Sequence, residues 1–420
     1  MKLSGSVVLE GFKMRLSGKI TIRSADSEPS CFSVAQWAVI ICLFLATMNF
    51  VGRFYYCVFF AGIVLMMMNR GLVRLPRTII PVLILAMALV LFSPMSHQSM
   101  TNMIKPFAYP LCVLLGNNLM SEDSGKGRGR QLLVLILCLS AGALAHYVLN
   151  LWFNWGSTIG RNTIDFWSRE AYSATGQATL ACMAIGVAVM CICTGYKLAV
   201  KVFAVIVLLV VMYYNLVLAG RMIFMLISVC IIVAILFRLY LEKKSLNRMK
   251  IIAGVGIGAI CVIMCYRINL LSVQEVIQNS NFFDRFFGEY ATEIAQDGRA
   301  GVKWQYILRM LDHPIGGLHI RSEVGGYAHD VLLDTYDEGG FLAFGAVLCM
   351  LFDFVIKCFN LCTSDAVADN VKMLVVCQAT CILLVFMIEP ILAGVQWLFA
   401  CFCVIYGAIG RICWCIKADA

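Results

Sequence analysis

The sequence predicts an all-α polytopic membrane protein with about 12 transmembrane helices and one large extracytoplasmic loop between helices 9 and 10. Hydrophobic residues make up 61% of the 420 positions, charged residues only 14%, and the mean hydropathy is +0.86. Soluble domains contain about 25% charged residues. The apolar residues also form runs of roughly 20, which is the length of a helix that crosses a bilayer.

These runs divide the chain into five segments. A basic cytoplasmic tail (1–33) precedes transmembrane helices 1–9 (34–266), a large periplasmic or extracellular loop (267–339), transmembrane helices 10–12 (340–411) and a second cytoplasmic tail (412–420). The tail 1–33 lacks the apolar core of a signal peptide. The predicted spans are 34–52, 54–69, 78–94, 103–119, 131–152, 179–195, 202–219, 222–240, 251–266, 340–356, 373–389 and 394–411.

Charge predicts the orientation of these spans. With both termini inside, 22 of the 33 lysines and arginines fall in inside segments, as the positive-inside rule requires. The net charge of +9 therefore needs no nucleic-acid partner. The other eleven basic residues are nine arginines and two lysines. Because arginine binds phosphate through a planar, two-pronged fork, this outer set indicates an anionic ligand.

Several classes of chemistry lack their sequence patterns. The 20 cysteines lie in apolar runs or near basic loops, and none occurs in 153–178 or 267–339, so we interpret them as packing residues. There is no phosphate-binding loop, dinucleotide fingerprint or serine nucleophile elbow. No histidine or carboxylate spacing typical of a metal site is present either. The sequence predicts no cofactor and no metal.

Two outer loops carry polar and aromatic residues. The first, 153–177, combines Arg161 and Arg169 with tryptophan, phenylalanine and tyrosine, which suits either sugar stacking or an interfacial aromatic belt. The second, 267–339, contains amphipathic patterns at 280–296 and 299–311. A His-Pro-Ile-Gly-Gly turn with Gly316 and Gly317 follows the second pattern.

Arginines at the predicted outer face are candidates for binding an anion. Arg221 stands between two apolar runs, where a charge is costly and either functional or snorkelling to headgroups. Arg299 and Lys303 share one helix face. With Arg321 they form either a basic patch for pyrophosphate or an ordinary solvated face.

His329 is the candidate general base. A neutral imidazole suits the removal of a proton from a sugar hydroxyl. Carboxylates follow it closely in sequence, among them Asp330 and Glu338, and could orient the ring and stabilise the imidazolium. The alternative is a structural loop histidine.

Together these stretches resemble the O-antigen ligase and Wzy-type O-antigen polymerase superfamily of bacterial envelope glycosyltransferases. The family's hallmark is a loop histidine followed by Asn, Ser or Gln, nine residues, a glycine at the start of the next span, two residues, and Gly, Thr or Tyr. Here it reads His329, Asp330, nine residues, Gly340, two residues and Ala343. Asp330 and Ala343 depart from the usual residue types. Further similar stretches are Ala219-Gly220-Arg221, Gly298-Arg299 ahead of Trp304, His313-Pro314-Ile315-Gly316-Gly317, and Ser173-Ala174-Thr175-Gly176-Gln177.

The resemblance implies a metal-independent, inverting glycosyltransferase in the bacterial inner membrane. Its donor is an undecaprenyl-diphosphate-linked glycan, its acceptor another glycan or the lipid A core, and a chain-length regulator is an expected partner. His329, Arg299 and Arg221 take catalytic roles. The residues expected to bind substrate are Arg321, Lys303, Arg161, Arg169, Asp330 and Glu338, and those expected to shape the turns are Gly316, Gly317 and Gly340.

Three functions remain open from the sequence. A polymerase adds glycan to a lipid-linked repeat unit, and a ligase transfers it to the lipid A core or a protein. A polysaccharide flippase is the third, but a transporter typically has broken helices and paired half-repeats. No internal repeat is seen, and the charges gather in loops. Of these three functions, the polymerase is favoured.

Overall fold

A computed structural model of the protein describes residues 32–68, 73–120, 125–156, 162–269 and 299–419, together with 275 and 278. Helices dominate these ranges. In chain order they are α1 (Val34–Thr47), α2 (Phe54–Met68), α3 (Ile79–Phe92), α4 (Met100–Ile104), α5 (Ala108–Leu119), α6 (Gly125–Phe153), α7 (Ala174–Cys193), α8 (Leu198–Val217), α9 (Met222–Leu241), α10 (Ser245–Arg267), α11 (Arg299–Arg309), α12 (His319–Val324), α13 (Val331–Thr363), α14 (Asp369–Phe386), α15 (Ile391–Gly394) and α16 (Gln396–Asp419).

Seven of the described helices are long and apolar enough to cross a membrane, namely α6, α7, α8, α9, α13, α14 and α16. Three shorter apolar helices, α1, α2 and α3, accompany them. The prediction of an all-α membrane protein is therefore confirmed. A helix lies at each of the twelve predicted stretches, but the twelve crossings and the side of the membrane remain predictions.

The bundle is built around α7 and α16. In the most apolar 18-residue stretch of each helix, 78% of the residues of α7 and 83% of those of α16 are buried. The corresponding value for the peripheral α8 is 28%. Helix α16 packs closely on α5, and α7 packs on α14, α8, α9 and α6. Glycine allows α5 and α16 to approach closely, because a Cβ atom on Gly116 would lie 1.9 Å from the carbonyl oxygen of Val404.

The structure moves several predicted boundaries. The span predicted at 103–119 begins only at Ala108, because Pro106 lies in a short 3₁₀ turn, Lys105–Phe107, that follows α4. Two further 3₁₀ turns are Phe50–Gly52 and Ser96–Gln98. Helix α13 starts at Val331 rather than 340, so the last nine residues assigned to the loop are helical and mostly buried.

The loop predicted at 153–177 holds the only strands among the described residues. Strands β1 (Asn162–Ile164) and β2 (Ala171–Ser173) form an antiparallel hairpin with Thr163 opposite Tyr172. Ser173 then caps α7 by accepting a hydrogen bond from the Gly176 backbone N–H. The helical pattern predicted at 280–296 lies outside the described residues.

Several connections meet at one end of the bundle, which we call the loop-rich end: 48–53, 93–107, 154–156, 162–173, 218–221 and 387–395. Contacts of these connections and of the helix ends beside them hold this arrangement. Phe50 and Trp167 pack edge to face with ring centroids 5.2 Å apart, and the rings of Trp155 and Tyr213 lie 6.4 Å apart. The hydroxyl of Tyr55 donates a hydrogen bond to the Gln396 side chain.

Candidate active site at the loop-rich end

The His-Pro-Ile-Gly-Gly turn packs against α13 at Gly340. Gly340 has φ 67° and ψ −162°, which interrupts the helix. The interruption frees backbone groups that pair with the His-Pro-Ile-Gly-Gly turn, so Leu318 N–H donates to Asp337 O at 2.7 Å and Phe341 N–H donates to Pro314 O at 3.0 Å. The approach is so close that a Cβ atom on Gly340 would lie 2.4 Å from Pro314 O.

Gly316 and Gly317 make the other half of this contact. Both have positive φ, 78° and 94°, a conformation that glycine adopts without steric cost. A Cβ atom on Gly316 would lie 2.6 Å from the Gly340 backbone nitrogen. The three glycines predicted to shape turns therefore shape one joint between the loop and α13.

His329 lies directly before Asp330, the N-cap residue of α13, in a left-handed conformation with φ 53°. Such a conformation is uncommon for residues other than glycine and concentrates at functional sites. Both neighbours hold it there: Ala328 N–H donates to Asp334 Oδ1 at 3.2 Å, and Asp330 Oδ1 accepts the Leu332 N–H at 3.0 Å as the helix cap. The half-buried imidazole packs edge-on to Tyr327, with centroids 6.4 Å apart.

Lys303 ties the loop helix α11 to this site. Its ammonium lies 3.3 Å from Asp330 Oδ2 and donates to the Met387 carbonyl at 2.8 Å. Asp330 therefore caps α13 through Oδ1 and pairs with Lys303 through Oδ2. These contacts join α11, the start of α13 and the end of α14 around His329.

Arg321 is the counter-ion of two buried carboxylates on α13. Its Nε lies 3.5 Å from Asp337 Oδ2, and a terminal nitrogen lies 3.8 Å from Glu338 Oε1. The guanidinium also lies 4.2 Å from the centre of the Tyr327 ring. Asp337 Oδ1 accepts the backbone N–H groups of Ile320 and Arg321 at 3.1 and 3.3 Å. Arg321 thus connects α12, α13 and the aromatic neighbour of His329.

A third group of charges lies on the surface. Arg309 donates to Glu323 at 2.8 Å, and His313 Nε2 lies 2.9 Å from the other oxygen of the same carboxylate. The hydrogen bond with His313 and the charge of Arg309 hold the pKa of Glu323 below its usual value. Lys303 and Arg321 are the members of the predicted basic patch whose side chains the structure describes. Each of them is paired with a carboxylate.

The remaining predicted residues are more dispersed. Arg221 occupies the N-cap position of α9, two residues after the left-handed Ala219, and α9 packs on α7, α8 and α14. Arg169 is exposed in the hairpin, with its guanidinium 4.1 Å from the Phe153 ring centre. Arg299 begins α11 one turn before Lys303, but its side chain lies outside the described residues, as does all of Arg161.

The sequence interpretation missed a buried polar cluster behind the hairpin. His146 Nε2 on α6 lies 2.5 Å from Asp165 Oδ2, and both side chains are at most 3% exposed. Burial opposes ionisation of Asp165. The hydrogen bond and charge of His146, with the backbone N–H groups of Trp167 and Ser168, outweigh that penalty and lower the pKa of Asp165. The polar and apolar residues around Asp165 follow no regular period, so the sequence carried no signal for this contact.

The chemistry available is that of a histidine at one end of a helical bundle, with Arg321, Lys303 and several carboxylates on the surrounding elements. Among the described residues, no group of three histidine, cysteine, aspartate or glutamate side chains could hold a metal ion, and the described cysteines are free thiols. In comparisons with protein-family models and with curated protein sequences, no family model and no curated protein matches this chain.

Proposed function

We propose that this membrane protein is a glycosyltransferase that moves a glycan from an undecaprenyl-diphosphate donor to an acceptor hydroxyl, as a polymerase of surface polysaccharide. The observation that carries the proposal is the strained, half-buried His329 at the joint between the loop and α13. The structure around it maintains an unfavourable backbone conformation through hydrogen bonds on both sides. The resemblance in the sequence supplies the substrate class.

His329 acts as general base in the proposed reaction. The neutral imidazole accepts the proton of the acceptor hydroxyl, whose oxygen attacks the anomeric carbon from the face opposite the diphosphate. The bond between the anomeric carbon and the diphosphate oxygen breaks with its electron pair, and undecaprenyl diphosphate leaves. The product has the inverted anomeric configuration. No metal takes part in this scheme.

Arginines stabilise the charge that develops on the leaving diphosphate. Arg221 and Arg299 donate paired hydrogen bonds to its oxygens. Arg321, which is already balanced by Asp337 and Glu338, binds the diphosphate more weakly and chiefly fixes the site. The lipid tail enters between helices, and the loop-rich end faces away from the cytoplasm in the inner membrane.

Removal of His329 tests this proposal. We expect a His329→Ala variant to lower the rate of transfer by about 10²–10⁴-fold, the usual contribution of a general base. His319→Ala is the matched control, because His319 is an exposed histidine of the same segment whose ring stacks on His313. The rate is measured with purified protein and a lipid-diphosphate-linked glycan, and equal rates in wild type and His329→Ala would contradict the proposal.

The glycans of a gene-deletion strain identify the acceptor. Single repeat units attached to the usual anchor indicate a polymerase, whereas full-length glycan retained on undecaprenyl diphosphate indicates a ligase. A complementing His329→Ala gene should give the deletion pattern and a His319→Ala gene the wild-type pattern. An unchanged pattern in the deletion strain would exclude both functions.

A further inference from the structure

A polar cavity of about 100 Å³ opens at the loop-rich end. It lies between the start of α2, the connection 93–107, α13 and the start of α16. A single water needs only about 10–15 Å³ by the same measure, so the space is much larger than one water. Apolar side chains form part of its lining, and the polar residues of the lining are Tyr55, Ser93, Ser96, Asn102, Lys105, Tyr109, Glu338 and Gln396.

The groups around this cavity are those that bind carbohydrate. Lys105 Nζ donates to Asn102 Oδ1 at 2.9 Å and lies 5.7 Å from the centre of the Tyr55 ring. Tyr55 donates to the Gln396 amide oxygen, and Glu338 adds a carboxylate to the same lining. These half-buried side chains carry donors and acceptors that can exchange their mutual hydrogen bonds for bonds to hydroxyl groups, so an occupant rich in hydroxyls is favoured.

The cavity is linked to His329 through Arg321 and Tyr327. A terminal nitrogen of Arg321 lies 3.8 Å from Oε1 of Glu338, which lines the cavity. The same guanidinium lies 4.2 Å from the centre of the Tyr327 ring, and that ring lies 6.4 Å from the ring of His329. A glycan with one ring in the cavity can therefore extend past Arg321 and Tyr327 toward His329.

We propose that this cavity binds a sugar ring of the acceptor glycan, with Lys105 and Asn102 donating to its oxygens and Glu338 accepting from its hydroxyls. The proposal rests on the proposed function for the identity of the glycan. Neither Lys105 nor Asn102 belongs to the set of residues that the sequence indicated, because both lie at the edge of an apolar run.

Binding of a defined probe tests the cavity without requiring transfer. The probe is the repeat-unit oligosaccharide of the host's own surface polysaccharide, released from its lipid by mild acid. Its Kd is measured by calorimetry with the full-length protein in lipid nanodiscs. We expect Lys105→Gln and Asn102→Ala each to raise the Kd about tenfold, as expected for loss of one hydrogen bond to a polar or charged group.

Gln98→Ala is the matched control. Gln98 is exposed in the same connection and its side chain contacts Met95 Sδ, but it does not line the cavity, so the Kd should not change. An unchanged Kd in both cavity variants, or a wild-type protein that does not bind the probe, would overturn the inference.

Transfer measured on the same preparations separates this inference from the proposed function. If His329→Ala abolishes transfer but the cavity variants bind the probe normally, the cavity assignment is wrong and the enzyme assignment stands. If the cavity variants lose binding but His329→Ala transfers normally, glycan binding stands and the proposed role of His329 fails.

Discussion

Arg321 is the residue on which the charge balance of the candidate site depends. It is the described ion-pair partner of Asp337, whose side chain is 0% exposed, and of Glu338. Removing one member of a buried pair leaves an uncompensated charge. We therefore expect Arg321→Met to lower the free energy of unfolding by about 3 kcal/mol, measured by denaturation of the purified protein in detergent.

Arg309→Met provides the comparison for this prediction. Arg309 also pairs with a carboxylate, Glu323, but both side chains are exposed by more than a third, so solvent screens the pair and stability should change little. Adding Asp337→Asn to Arg321→Met should recover part of the loss, because the amide keeps the acceptor oxygen without the charge. Equal losses in the two arginine variants would show that burial is not the cause.

At the residue scale, the sequence indicated which charged residues belong to the site but not which of them pair with each other. Arg321 was expected to join a basic patch, but the structure pairs it with Asp337 and Glu338 and stacks it on Tyr327 beside His329. The pairing of Lys303 with Asp330 was not predicted, since the two are 27 positions apart and local periodicity carries no information on such a contact. The pairing of His146 with Asp165 was missed because it joins a helix to an irregular loop.

Among the elements, α13 is distinguished by its interruption at Gly340. Any side chain there meets two penalties: its φ and ψ lie in a region open essentially to glycine, at a cost of about 1–3 kcal/mol, and its Cβ would clash with Pro314 O. We expect Gly340→Ala to separate the His-Pro-Ile-Gly-Gly turn from α13 and abolish transfer. Hydrogen exchange of Leu318 and Phe341 N–H groups measures the separation.

Gly345→Ala is the control within the same helix. A Cβ atom on Gly345 meets no atom within 4 Å, so the substitution should be neutral or stabilise α13 by up to about 1 kcal/mol through higher helix propensity. Faster exchange at Leu318 in both variants would mean that loss of a glycine anywhere in α13 is harmful. The joint at Gly340 would then have no special role.

The elements themselves were largely predictable, whereas their joints were not. A helix occurs at each of the twelve apolar stretches. An apolar stretch in lipid must satisfy its own backbone hydrogen bonds and therefore forms a helix whichever segments pack beside it. The hairpin at 162–173 and the start of α13 at Val331 were not predicted. The hairpin is held by Asn154, which bonds both backbone groups of Ile164, and α13 begins at the cap made by Asp330. Neither contact gives an apolar period that a search for spans would detect.

For the whole molecule, the sequence predicts an odd number of crossings between the loop-rich end and the C-terminus. Gln98 lies at that end, Lys197 lies in the opposite connection between α7 and α8, and Lys417 lies near the end of α16. All three are exposed. A membrane-impermeant maleimide on intact cells should label Gln98→Cys but neither Lys197→Cys nor Lys417→Cys, with sites identified by mass spectrometry.

Permeabilised cells supply the control, because all three cysteines should then react. Labelling of Lys417→Cys together with Gln98→Cys in intact cells would show an even number of crossings between them, so one predicted span would not cross. Labelling of Lys197→Cys instead of Gln98→Cys would reverse the orientation. His329, Arg321 and the polar cavity would then face the cytoplasm, where an acceptor glycan on the outer leaflet cannot reach them, and the proposed glycosyltransferase would lose its substrate.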